Sequence, residues 1–336
     1  MFKALLVGAG AMGRAWGENL SNSHDVEFVS WVDILPDTAA TAAEKLEVHL
    51  KYVGTDFHQA VSESKPDFVV DVTIPEAHRD VTLAALKLGL PVIGEKPMSS
   101  TMDSAREMVR VSEETGKLYM VSQSRRYDAG VQAYRRLIHE NIGSPEILNS
   151  DFYIGAHFGG FRDMMPSPLL LDMAIHTVDA ARFLSGQDPV SVYCEEFNPT
   201  WSWYEGASSA TAIFEMTGGL RYTFRGSWCS EGKHTSWEAD WRAIGPRGTA
   251  IWDGLSDPEA DVVIESAGFY SKLVAKTEPR DNTIDQAIAG SLKDMVRFLR
   301  DGTVPMGECH DNIKSLAMIF GAIESARIGQ RVLIEV

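Results

Sequence analysis

Ala4-Leu5-Leu6-Val7-Gly8-Ala9-Gly10-Ala11-Met12-Gly13 is the stretch that decides the architecture of this chain. Four apolar residues read as a buried strand. The glycines that follow, spaced GxGxxG, open onto Met12–Ser21, where apolar residues recur at three- and four-residue intervals. Strand, glycine turn and helix in that order begin a βαβ unit, and the helix N-terminus presents unpaired N–H groups to a pyrophosphate. Gly8 permits the tight turn, Gly10 lets a ligand approach the backbone, and Gly13 lets the helix pack on the strand, with Ala11 and Met12 completing the binding turn. Twenty residues after Gly13, Asp33 closes the next apolar run, Glu27–Val32. A carboxylate there accepts hydrogen bonds from both adenosine ribose hydroxyls and repels a 2′-phosphate. Neither Ile34 nor Leu35 supplies a cation, so NAD is expected in preference to NADP.

Outward from this unit the pattern repeats. Phe68–Thr73, Pro91–Gly94 and Leu118–Val121 are compact apolar runs, as expected of parallel strands covered on both faces. Thr38–Leu46, His78–Lys87 and Met102–Glu114 have helical periodicity, and Gly89 and Gly116 follow two of them as helix stops. Residues 1–122 are therefore expected to form a dinucleotide-binding Rossmann domain with a doubly wound parallel sheet. After residue 123 apolar and polar residues alternate, most completely in Leu220–Trp228, and similar segments run near Ile147–Ile154, Val190–Phe197, Ser209–Met216, Trp237–Ile244 and Thr249–Trp252. Helical patterns near Thr283–Leu299 and Asp311–Ile328 and a short strand at Arg331–Val336 close the chain. Residues 123–336 are expected to form an α+β domain with an open, mostly antiparallel sheet for substrate binding and oligomerisation, so that the whole is α/β.

The composition bounds the function. The chain has 336 residues, 44% hydrophobic and 23% charged, enough for two cores. A net charge of −16 would repel a phosphate backbone or an anionic membrane, so neither nucleic acid nor membrane is expected as a partner. Three scattered cysteines, Cys194, Cys229 and Cys309, argue against a disulfide framework and a structural zinc site. No secretory pattern opens the sequence and no apolar run is long enough to span a bilayer. A cytoplasmic location and no metal are the expectations.

Thr73-Ile74-Pro75-Glu76-Ala77-His78, Gly94-Glu95-Lys96-Pro97, Arg125-Arg126-Tyr127 and Leu171-Asp172-Met173-Ala174-Ile175-His176 join the glycine motif in a joint spacing that resembles the Gfo/Idh/MocA oxidoreductases, which include inositol dehydrogenases. The resemblance runs nearly end to end. It implies that Thr73, Ile74, Pro75 and His78 line the dinucleotide groove, that Glu95 and Lys96 sit beside the nicotinamide ribose, and that Lys96 also faces substrate. A lysine at the carboxyl edge of a parallel sheet is reasonably placed for that, although most lysines are simply solvated. Asp172 and His176 stand four apart in an expected helix, Leu170–Leu184, that ends at Ser185-Gly186, so both project from one face. Imidazole suits proton transfer at neutral pH, and the resemblance makes His176 the proton acceptor, with Asp172 orienting it or holding a substrate hydroxyl. A structural histidine held by Asp172 or Asp179 is the competing account. Gln123, Arg126 and His157 are weaker candidates for substrate contacts, and Arg126 suits a salt bridge equally well.

The implied activity is hydride transfer between NAD(H) and a carbinol carbon of a sugar, cyclitol or related polyol. Two alternatives remain open: a glycosidase that oxidises transiently with bound NAD, and a non-catalytic sensor of a dinucleotide or sugar. Six of the eight tryptophans fall in the second domain's sheet region, where packing under helices or in a subunit interface is expected rather than sugar stacking. A homodimer or homotetramer through that sheet follows.

Overall fold

The computed structural model describes residues 1–336 except Ala267. The chain divides into two units, residues 1–124 with 285–313, and residues 125–284 with 314–336.

The first unit alternates strand and helix: β1 (Phe2–Val7), α1 (Ala11–Asn22), β2 (Val26–Val32), α2 (Thr38–Lys45), β3 (Tyr52–Gly54), α3 (Phe57–Ser64), β4 (Phe68–Asp71), α4 (Pro75–Lys87), β5 (Val92–Gly94), α5 (Met102–Thr115) and β6 (Tyr119–Val121). The strands form one parallel sheet in the order β3-β2-β1-β4-β5-β6. The chain reverses its direction of progress across the sheet between β1 and β4, and a crevice opens at the carboxyl ends of strands at such a reversal. The sequence reading did not place β3 and α3. Three residues give too little periodicity to see, and α3 shows itself by its cap, the Asp56 carboxylate accepting from the Gln59 N–H at 2.9 Å.

The second unit begins with α6 (Ala129–Leu137) and β7 (Ile147–Tyr153). A π-helical stretch, Leu169–Ala174, then leads into α7 (Ile175–Ser185), followed by β8 (Pro189–Phe197), β9 (Ser209–Met216), β10 (Arg221–Ser227), β11 (Asp240–Gly245), β12 (Gly248–Trp252), β13 (Glu259–Glu265) and β14 (Lys272–Thr277). After α8 (Ala287–Asp301), α9 (Cys309–Ile328) crosses the division at residue 313, and β15 (Val332–Leu333) completes a nine-stranded sheet in the order β14-β13-β12-β11-β7-β10-β9-β8-β15. Only the β7–β10 neighbours run parallel. The alternation reads as expected: Leu220, Tyr222, Phe224 and Trp228 are buried while Arg221 and Arg225 are exposed.

Two expectations need correction. The linear boundary gave everything after residue 123 to the second domain, whereas residues 285–313 belong to the first unit. The reason is apolar: Leu292, Met295 and Val296 of α8 join Trp16 and Leu20 in the core of the parallel sheet, and helical periodicity cannot say which sheet a helix will cover. The tryptophans also divide. Trp228, Trp241 and Trp252 are buried in the second unit's core, while Trp201 and Trp237 lie outside the strands and are exposed. The strand expected from Trp237 starts only at Asp240, because residues 237–238 form a turn.

Candidate functional site

Every cofactor-binding candidate except His78, together with the substrate candidate Gln123, lies at or just past the carboxyl end of a strand of the parallel sheet. Gly8, Gly10, Ala11, Met12 and Gly13 follow β1, Asp33 follows β2, Thr73, Ile74 and Pro75 follow β4, Glu95 and Lys96 follow β5, and Gln123 follows β6. Gly8 takes φ +102°, a Cβ there would overlap the Val72 carbonyl, and a Cβ at Gly13 would overlap the Gly8 carbonyl. Only glycine allows α1 to start this close to β1. Gly10 caps α1 with no side chain bonded to its free N–H groups, and nothing lies within 4 Å of where its Cβ would be. That exposed helix start offers free N–H groups and open space to a pyrophosphate, so the residues present fit a dinucleotide.

Asp33 Oδ2 accepts from the Ala9 N–H at 2.7 Å and Oδ1 from the Leu35 N–H at 2.9 Å, which fixes the carboxylate beside the glycine turn. The sequence reading missed two cations here. Arg14 and Lys45 line a cavity of about 290 Å³ with Ala9, Thr38 and Thr41.

His78 does not reach the surface of this edge: it is 1% exposed, with Nδ1 3.1 Å from Asp71 Oδ2 and 3.3 Å from Thr73 Oγ1. Burial pulls its pKa down, but the charge and hydrogen bond of Asp71 outweigh that and raise it. Asp71 also accepts from the Thr73 hydroxyl at 2.6 Å, so it holds the β4–α4 turn from below. Glu95 is likewise buried. Its Oε1 accepts from Trp16 Nε1 at 2.7 Å and its Oε2 from the Lys96 N–H at 3.1 Å, while burial raises its pKa against those two bonds. Asp71 and Trp16 were not singled out from sequence; the acid closing an otherwise apolar strand was the available signal.

Lys96 is half-buried in the first unit; Asp172 and His176 belong to the second. In Leu169–Ser185 the residues that escape full burial are Leu171, Asp172, His176 and Phe183. The shared face expected of Asp172 and His176 is therefore seen, although Asp172 sits in the π-helical stretch and His176 in α7. Wide turns of this kind recur at functional sites. The α7 end is as expected, with Gly186 at φ 68°.

Asp172 Oδ2 accepts from Arg162 Nε at 2.6 Å. The sequence offered no sign of Arg162, which stands ten residues upstream in a loop without periodicity. Asp179 is engaged elsewhere: Arg126 donates to it through Nε at 2.8 Å and Nη2 at 2.6 Å, and Ser315 donates at 2.6 Å. The Arg126 and Asp179 side chains are 6% and 2% exposed. Arg126 thus forms a buried pair with Asp179, the salt bridge that was the alternative expectation for it. Gln123 is also buried. His157 is exposed, stacked on Trp203 at 3.7 Å between ring centres and bonded to Glu231 at 2.8 Å.

Among the described residues, the mixed metal-ligand side chains that converge are Glu308, Cys309 and His310. They bond one another at the start of α9, with His310 Nδ1 2.6 Å from Glu308 and Nε2 2.8 Å from Glu113. No helix among the described residues is long and apolar enough to cross a membrane.

Residues 2–123 match the model of an oxidoreductase family with an NAD-binding Rossmann fold, and residues 104–251 match the GFO/IDH/MocA C-terminal domain. The "uncharacterized protein y4oX" of Sinorhizobium fredii is 25% identical over 99% of this chain and 96% of its own length. The 1,5-anhydro-D-fructose reductase of Ensifer adhaerens is 30% identical, over 55% of this chain and 56% of its own. An oxidoreductase from Agrobacterium radiobacter, solved with NAD+, L-tartaric acid and magnesium, superposes with a TM-score of 0.86 at 20% identity, covering 99% of this chain and 98% of that one. At that identity the likeness is one of fold. With both family domains matched in sequence order on a fold that has the expected architecture in both units, the chain belongs to the Gfo/Idh/MocA family of NAD-binding oxidoreductases.

Proposed function

We propose that this enzyme moves a hydride between NAD(H) and a carbinol or carbonyl carbon of a small polyhydroxylated molecule of the sugar, cyclitol or polyol class. The observation that carries the reading is the pair Asp172 and His176, half-buried on one face of the π-helical stretch and α7 within the matched C-terminal domain. The bound nicotinamide supplies the two-electron acceptor or donor. The chain's own part is the proton: the His176 imidazole takes it from the substrate hydroxyl, or returns it to the carbonyl oxygen in the reverse direction. The Lys96 ammonium steadies negative charge as it develops on that oxygen, and Asp172 holds a neighbouring hydroxyl or the ring itself. NAD is favoured over NADP because the Asp33 carboxylate is fixed beside the glycine turn, where it repels a 2′-phosphate.

The open face of the nine-stranded sheet, with Ile147, Ile213 and Ile251 each more than 40% exposed, supports assembly of a dimer or tetramer through that sheet. Three buried, unbridged cysteines are compatible with the reducing cytoplasm.

The test is NADH absorbance across a panel of polyols, cyclitols, aldoses and their acids, followed by His176→Ala. That change should lower turnover by roughly 10²–10⁴-fold with NAD affinity nearly unchanged. A fully active variant removes His176 from the chemistry.

A further inference from the structure

Arg162 lies in a short 3-10 turn, Gly160–Met164, before the π-helical stretch, its side chain 32% exposed and its guanidinium over the rings of Phe158 and Phe161 at 5.2 and 4.7 Å from their centres. Two aromatic contacts and one ion pair fix the plane of the group. The ion pair to Asp172 engages Nε; among the described residues neither Nη is hydrogen-bonded. The loop does not need this side chain to stay in place. Its backbone is already tied by Glu205 N–H to the Asp163 carbonyl at 2.8 Å, by Ala207 N–H to the Pro166 carbonyl at 2.9 Å and by its own turn, Met165 N–H to the Arg162 carbonyl at 3.2 Å. A guanidinium that is held rigid, needs no backbone partner and is a third exposed with its terminal nitrogens unbonded is built to receive a planar anion.

We propose that Arg162 sets specificity by binding a carboxylate of the substrate, so that the preferred substrates are hydroxy acids of the sugar-acid class rather than neutral polyols. This rests on the dehydrogenase reading, which puts Asp172 at the substrate. Under that reading Arg162 stands beside Asp172 at the substrate, with Nε engaged and the two Nη groups open to a further acceptor. A substrate carboxylate can take the Nη pair through two parallel N–H···O bonds, a geometry a hydroxymethyl group cannot match.

The experiment uses the NAD+-loaded full chain and matched pairs that differ only in carboxylate against hydroxymethyl: D-gluconate with D-glucitol, D-glycerate with glycerol, L-threonate with its alditol. Binding is read by calorimetry and turnover by NADH absorbance. In at least one pair the acid should bind at least about tenfold more tightly than its neutral partner. Arg162→Gln should abolish that ratio and Arg162→Lys should retain part of it, and an unchanged NAD affinity shows that the variants fold. The proposal is overturned if no pair shows the preference, if the preference survives in Arg162→Gln, or if Arg162→Gln weakens acid and neutral partners equally, since that is what a residue that merely positions Asp172 would do. The two readings fail separately. NADH production from neutral polyols, indifferent to Arg162, removes the anion preference and leaves the dehydrogenase. Arg162-dependent acid binding without NADH from any compound does the reverse.

Discussion

Replacing Arg126 with methionine distinguishes a structural arginine from the substrate contact that its place just after the last strand of the parallel sheet allows. The side chain is 6% exposed and makes two hydrogen bonds, 2.8 and 2.6 Å, to an Asp179 that is 2% exposed. Removal leaves that carboxylate buried with the Ser315 hydroxyl at 2.6 Å and without its countercharge. Breaking one side of such a pair costs about 3–5 kcal/mol. In a unit of this size each kcal/mol lowers the midpoint by about 2–4 °C, so a fall of roughly 6–20 °C is expected. Thermal unfolding followed by tryptophan fluorescence reads it directly, because most of the tryptophans belong to the second unit. NAD affinity, a property of the first unit's glycine turn, should be unchanged. Arg126→Met combined with Asp179→Leu should recover most of the loss, since no buried charge then remains. A single variant that unfolds normally but raises KM would refute the argument and return Arg126 to the substrate.

Two further outcomes are expected. NAD should bind at least about tenfold more tightly than NADP, about 1.4 kcal/mol, and Asp33→Ser should narrow the gap by exposing a phosphate to Arg14 and Lys45; equal affinities in the unaltered chain would mean that those cations override the carboxylate. Burial pushes the Glu196 carboxyl from 4.5 up to about 7, opposed by its hydrogen bond from Ser167. Between those values the folded state holds a proton that the unfolded chain has released, so stability should fall as pH rises from about 4.5 to about 7 and then level off. Glu196→Gln should flatten that part of the midpoint-against-pH curve, and an unchanged slope would count against the buried carboxyl as its source.

Sequence exposed the features that depend on local rules. The glycine turn, Asp33, the Gly186 stop and the alternation from Leu220 to Trp228 each follow from backbone conformation or from a periodicity of two or 3.6, and each stands where expected. What it concealed depends on distant partners. Asp71 under His78, Trp16 on Glu95, Arg162 on Asp172 and Asp179 on Arg126 join residues 7, 79, 10 and 53 positions apart, and no spacing rule announces such pairs. Family likeness singled out His78, and position after the last strand of the parallel sheet singled out Arg126. Both are buried there, each beside an aspartate.

The return of residues 285–313 to the first unit bears on how the chain matures on the ribosome. Trp16 and Leu20 emerge early, yet the side chains that cover them, Leu292, Met295 and Val296, are translated last among their neighbours in that core. For most of synthesis the nascent nucleotide-binding half carries an uncovered greasy patch that chaperones can recognise. A premature stop before residue 285 would leave that patch permanently bare, so a shortened gene product is expected to be cleared by proteolysis rather than to persist as a free-standing dinucleotide binder.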